Sequence, residues 1–306
     1  ARRGFTLVEL LVSIVLLGLV MSSVLMVFSS VLKSYEFHQD ISEAKQRGQI
    51  ALSAIQPYVL NAGLALPNRA STFQEAFNQQ SKITPVPGFP NDVKNFRGAV
   101  QPADTPLSLN ISGTDTKKAA SALWLVYSVP TGAGVNYEYE FQKNDSQTID
   151  VENFARLESE NKLSKNSSDL RAWISFPSGT SPLNITAIDS GTKKITLNAP
   201  LLQKIAAFDE IHYVRAVKIH VNNNNLYVRS LLTGADQPII EGIAGLWCTY
   251  DEEKDRVLSI SVLSRGSTRH NEVFQTEVSG WPADAPQPTD LHYRYTAVTR
   301  SWRMRN

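Results

Sequence analysis

Gly4-Phe5-Thr6-Leu7-Val8-Glu9-Leu10-Leu11-Val12 opens a run that stays apolar as far as Leu32. Leu10 to Leu32 carries no charge, and its polar side chains are Ser13, Ser22, Ser23, Ser29 and Ser30. At about 1.5 Å per residue, a helix of this length spans a hydrocarbon core of about 30 Å. Arg2 and Arg3 precede the run and Lys33 follows it. The arginines favour a cytoplasmic N-terminus with the rest of the chain exported. A plain single-pass anchor, a cleaved secretory signal and a twin-arginine signal share parts of this pattern. The run is longer than a usual signal core, however, and no A-x-A cleavage site follows it.

Glu9 fits none of those three readings. A carboxylate at the start of a membrane span is expensive and marks a functional candidate. A cation would offset that expense. Cutting the chain after Gly4 would free an amine on Phe5, four residues before Glu9. Positions i and i+4 share a helix face, so the amine could meet Glu9 of its own chain or of a packed neighbour.

The stretch from Gly4 to Val12 resembles the processing motif of type IV prepilins and pseudopilins. The resemblance implies that a membrane peptidase cuts after Gly4 and methylates the new N-terminal Phe5, and that Glu9 supports assembly. Residues 1–4 then read as a leader remnant and 5–32 as a transmembrane and filament-core helix.

Beyond Lys33 the pattern becomes periodic. Phe37, Ile41, Ala44, Gly48, Ala51, Ile55 and Val59 fall three or four apart, which is one face of an α-helix. Glu36, Asp40, Glu43, Lys45 and Arg47 lie off that stripe. The spacing predicts one continuous helix from about Thr6 to about Leu60, roughly 80 Å long. Its second part, 33–60, is an amphipathic helix that needs a globular partner. Pro57 kinks or ends its last turn, and Gly18 is the weakest point of the apolar half.

Residues 61–120 read as irregular loops rich in Pro, Gly, Asn, Ser and Thr. From 121 to 306 the chain reads as a β-rich globular domain. Leu123–Val129, Val135–Phe141, Ile149–Glu152, Ala172–Phe176, Asn184–Ile188 and Lys194–Asn198 are short strand candidates. Val214 to Leu231 is a hairpin turning at Asn222 to Asn225. Gly245–Tyr250 and Val257–Ser264 form a second pair, and His292–Arg303 is the last strand. The fold class is therefore α+β, a long N-terminal helix packed on a C-terminal antiparallel β-sheet domain.

Several later stretches look like the C-terminal region of PilW-type minor pilins. They are Ile239-Ile240-Glu241-Gly242-Ile243, the run from Val257 to Arg265, and the ending from Tyr293 to Asn306. Asn61-Ala62-Gly63 after the helix also fits. This resemblance implies a minor pilin that helps initiate or cap a type IV pilus, with twitching motility and adhesion as associated roles. The implied partners are other minor pilins, the major pilin, the prepilin peptidase and the inner-membrane assembly platform. The implied location is the inner membrane with a periplasmic C-terminal domain, then the extracellular filament. A minor pseudopilin of a type II secretion system, or a pilus-borne subunit for DNA uptake or adhesion, are the alternatives.

Enzyme chemistry has little footing. No Walker A, G-x-S-x-G, H-E-x-x-H or CxxC pattern occurs. Net charge is +1, which favours no nucleic-acid partner. His38, His212, His220, His270 and His292 are dispersed, and His212 and His220 are expected to face solvent. Asp251, Glu252, Glu253 and Asp255 read as a charged turn rather than a calcium site. Cys248, the single cysteine, reads as a buried inert side chain. Trp281 with Pro282, Pro286 and Pro288 reads as an exposed loop. No cofactor, metal or small-molecule substrate is expected.

Overall fold

The computed structural model describes residues 6–67, 73, 98–103, 117–140, 148–159, 173–179, 182–197, 201, 204–230, 235–251, 256–274 and 277–304. One helix, α1, runs unbroken from Leu7 to Leu60. Its first half is uniformly apolar and its second half carries the predicted stripe. Gly18 does not interrupt it, and Pro57 lies inside it, three residues before its end, without ending it there. The chain leaves α1 through Asn61 and turns at Gly63, whose φ of 75° favours glycine. Gly63 N donates to Val126 O at 3.0 Å, and Ser128 Oγ donates to Leu64 O at 2.7 Å, so the helix end is tied to the sheet.

Thirteen strands and one short helix follow among the described residues. They are β1 (Val100–Pro102), β2 (Lys117–Ala120), β3 (Ala122–Val135), β4 (Thr148–Glu152), α2 (Phe154–Ser159), β5 (Trp173–Ser175), β6 (Leu183–Asp189) and β7 (Lys194–Leu197). Next come β8 (Glu210–Asn222), β9 (Asn225–Ser230), β10 (Asp236–Glu241), β11 (Ile243–Asp251), β12 (Val257–Arg265) and β13 (Tyr295–Arg303). Strands β1 and β2 lie in the stretch read as loops; at three and four residues they are too short to show a period. The candidate strand Val135–Phe141 fares differently. β3 ends at Val135, Tyr139 makes an isolated bridge to Ile205, and Phe141 lies outside the described residues.

All pairings are antiparallel. One sheet has the order β13-β12-β11-β2. In the larger sheet β3 pairs both β4 and β8, and the pairs β4–β7, β7–β6, β6–β5 and β5–β8 complete a closed ring of strands. The ring grows from the far ends of the long strands β3 and β8. It holds its own core, including Val135, Ile149, Leu157, Ile174, Ile195 and Ile211. A second core lies between α1 and the two sheets, with Ala51, Leu52, Ile55 and Val59 against Leu123, Ile219, Leu246 and Ile260. The β8–β9 turn places Asn223 at φ 48° and Asn224 at φ 59°. Two successive left-handed residues match the right-handed twist of a tight hairpin, and asparagine tolerates that region well.

The helix stripe needs one correction. Ala44, Gly48, Ala51, Ile55 and Val59 are buried as expected, but so is Asp40, read from sequence as lying off the stripe. Its burial is made possible by His270, a partner 230 residues away.

Candidate functional site

Among the described residues, none from Leu7 to Leu32 is buried against the rest of the chain. Their large apolar side chains are 46–77% exposed, a surface that water does not tolerate on this scale. Four of the five serines within this run are satisfied locally. Ser13 Oγ donates to Glu9 O at 2.7 Å, Ser22 and Ser23 donate to Leu19 O at 2.9 Å each, and Ser29 donates to Met26 O at 2.9 Å. Such back-bonding removes the cost of a hydroxyl in hydrocarbon. The segment is thus suited to lipid or to a bundle of similar helices.

Glu9 stands at the N-terminus of α1. Its backbone N–H donates to Thr6 Oγ1 at 3.3 Å, while Glu9 Oε2 accepts from Thr6 N at 3.0 Å and Thr6 Oγ1 at 2.9 Å. This is a reciprocal capping box. The arrangement holds the carboxylate at the positive end of the helix dipole, where it is favoured. The sequence carried this signal as Thr6-x-x-Glu9, which the reading of Glu9 as an assembly residue passed over. Gly4 and Phe5 lie outside the described residues, so the cleavage position and the amine expected to meet Glu9 have no geometry here.

Where α1 emerges from its apolar half, a polar clasp fastens it to the domain. Asp40 is 3% exposed, and its Oδ2 meets His270 Nε2 at 2.6 Å. The Arg294 guanidinium lies between Phe37 and Phe274, 4.1 and 3.9 Å from their ring centres. Glu43 accepts from Ser267 Oγ at 2.7 Å and pairs with Arg47 at 2.7 Å. Arg47 donates in turn to Arg265 O, and Ser264 Oγ donates to Ala44 O at 2.6 Å. A Cβ on Gly48 would come within 2.9 Å of Val298 Cγ2, so glycine is what lets α1 lie close on β13.

The remaining candidates are scattered. His212 is 6% exposed, contrary to the solvent-facing expectation, because β8 turns it inward where Ser128 Oγ meets its Nδ1 at 3.2 Å. Burial holds its imidazole below the usual histidine range. His220 is half-buried, stacks on Tyr227 and lies 3.8 Å from Asp236. No group of three or more His, Cys, Asp or Glu side chains that could hold a metal occurs among the described residues. Of the charged turn, Glu252, Glu253 and Asp255 lie outside them. Cys248 is fully buried, and burial pushes its thiol up. Trp281 is also buried, correcting the exposed-loop reading: its ring lies against Gly245 and its Nε1 donates to Pro286 O at 3.2 Å.

A family profile described as the prokaryotic N-terminal methylation motif matches residues 1–25. No curated protein and no solved structure gives a significant match. The match covers the start of α1, an apolar helix long enough to cross a membrane, and supports membrane anchoring. Together the motif and the helix packed on its β-domain support a type IV pilin-like protein, a pilin or a pseudopilin.

Proposed function

We propose that this chain is a PilW-type minor pilin that helps initiate type IV pilus assembly, probing no substrate and catalysing no reaction. The observation that carries the reading is the division of α1. An apolar half is left bare for neighbouring helices, and an amphipathic half is clamped to a large β-domain. A domain of this size would obstruct repeated packing along a thin filament shaft less if it sat at the tip. In this reading a peptidase cuts after Gly4 and methylates Phe5. Before assembly, the capping box keeps Glu9 ordered on its own chain. On packing, the amine of a Phe5 draws Glu9 into an ion pair that sets axial register, because an unpaired carboxylate in hydrocarbon costs several kcal/mol.

The test is Glu9→Leu in the full chain. Membrane insertion and cleavage are expected to persist, while crosslinking to partner pilins and the number of surface pili fall. Wild-type crosslinking and piliation in Glu9→Leu would sink the assembly role. Crosslinks to secretion-channel components in place of pilins would redirect the reading to a pseudopilin.

A further inference from the structure

The segment 266–274 descends α1 toward its apolar half. Gly266 lies against Asp40, where a Cβ would come within 3.0 Å of the Asp40 Cβ, and His270 meets the Asp40 carboxylate. Phe274, at the lower end, shares the Arg294 guanidinium with Phe37. Val273, next to it, is 63% exposed. We propose that this end of the β-domain rests on the surface of the bilayer that anchors α1, with Val273 and Tyr35 in the headgroup layer. The proposal rests on membrane anchoring by α1 and not on membership of a pilus.

The distances along α1 agree with such a contact. Phe37 lies about 7 Å along the axis beyond Leu32, the last residue of the apolar run. The headgroup layer extends about 5–7 Å beyond each side of a hydrocarbon core of about 30 Å. The level of Phe37, and with it Phe274, therefore falls at the outer edge of that layer. The run from Leu10 to Leu32 is about 35 Å long as a helix, more than the core needs. A span longer than the core tilts, and a tilted helix lowers one side of whatever it carries. No glycine or proline occurs between Lys33 and Arg47, and the clasp at Phe37, Asp40 and Glu43 binds the domain to that same stretch. Domain and span thus tilt together rather than swinging about a hinge.

The chemistry of this end suits an interface between lipid and water. Tyr35, 66% exposed on α1, has an apolar ring and a polar tip, the combination favoured at headgroup level. Val273 offers an aliphatic side chain at the tip of the segment, flanked by exposed Asn271 and Glu272 that can stay in water. The charges here balance. Arg269 pairs with Asp290 at 3.2 Å, Arg294 lies in the field of Asp40 and Glu272, and Glu36 stands one turn after Lys33. The contact therefore calls for no anionic lipid. The backbone of the segment is held from behind, since Gly266 N donates to Arg294 O, His270 N to His292 O and Phe274 N to Leu291 O. A surface already ordered in this way meets the bilayer without first paying to be fixed.

The experiment places an environment-sensitive thiol dye on the full chain in phosphatidylcholine liposomes that contain a lipid with a nitroxide on its headgroup. Cys248 is fully buried, and the unsubstituted chain gives the labelling background. Tyr35→Cys marks the headgroup layer. Phe208→Cys marks open water, because Phe208 is exposed and its N–H is held by Val135 O, beyond the far end of α1. The label at Val273→Cys should be blue-shifted and quenched severalfold more strongly than at Phe208→Cys, approaching Tyr35→Cys. Asn271→Cys takes its place should Val273→Cys fail to fold. Added anionic lipid should change neither signal. Quenching at Val273→Cys no stronger than at Phe208→Cys, or present only with anionic lipid, would overturn the proposal. So would a Tyr35→Cys label that escapes quenching. A blue shift without lipid quenching that grows with the protein-to-lipid ratio would assign the segment to a second copy of the chain, and would overturn it too. None of these outcomes bears on the filament role tested at Glu9.

Discussion

The two halves of α1 share one backbone and differ in everything that surrounds it. Leu17 is 60% exposed and Ile55 is fully buried, yet both are aliphatic residues of the same continuous helix. In the first half apolar side chains point in every direction, so no single face can be the contact surface. In the second half they are confined to a stripe, and that stripe is covered by β12 and β13. Helical propensity does not distinguish the halves. The medium each requires does: hydrocarbon or other helices for one, a sheet for the other.

The largest expected effect comes from separating them. Deleting residues 1–32 should convert a chain that needs detergent into a soluble protein with a cooperative melt, because the stripe keeps its partner. Aggregation with only gradual melting would show that the stripe depends on contacts between subunits, and would dissolve the distinction. Next in size is a matched truncation. Ile55→Ala should cost about 2–5 kcal/mol in urea unfolding of the soluble form, since it empties a fully buried site. Leu17→Ala in the full chain should leave the melting of the β-domain unchanged.

The two glycines sharpen the comparison at smaller cost. At Gly48 the added methyl of Gly48→Ala meets Val298 and Ser264 Oγ, and overpacking of about 1–3 kcal/mol should outweigh the roughly 1 kcal/mol of helix propensity gained. At Gly18 nothing lies within 4 Å, so Gly18→Ala should retain or strengthen the helix by circular dichroism.

The smallest effect is a pH dependence belonging to the domain alone. Burial lowers the pKa of His212 and of His220. Between the folded and unfolded values the unfolded chain binds more protons, so stability rises with pH. This contribution is present above the unfolded value of about 6.5 and is lost as pH falls through the lower folded value. Chemical denaturation of the soluble form from pH 7.5 downward should show the loss, with a shallower slope in His212→Gln.

Much of this was legible in the sequence, and the reasons differ by element. The helix limits followed from composition and a 3.6-residue period, and the β8–β9 hairpin from alternation on both sides of an asparagine turn. Both are local signals. Asp40 was misread because a charge on a helix is ordinarily solvated, and what buries it is His270, set by a loop far along the chain. His212 was misread for the same reason: its inward turn depends on pairing with β3 and on Ser128. The ring of strands was invisible because period reveals a strand but not its neighbours. Strand β5, three residues long, closes the ring through two register pairs with β8, Ile174 to Tyr213 and Ser175 to His212. In the candidate site, Glu9 stood out as a lone charge, while its capping role required noticing Thr6 three residues earlier.

The clasp and the stripe also impose an order in time. Ala44 accepts its hydrogen bond from Ser264, 220 residues later, and Gly48 rests on Val298 in the last strand. A chain made from its N-terminus anchors α1 long before β12 and β13 exist to cover it. Throughout that interval the stripe from Ala44 to Val59 is an uncovered apolar surface, vulnerable to wrong partners. Contacts so distant in sequence close slowly. Biogenesis should therefore be limited by the arrival of the final strand, and a chain stopped before Tyr295 should be degraded or held by chaperones even though its helix and ring of strands are already complete.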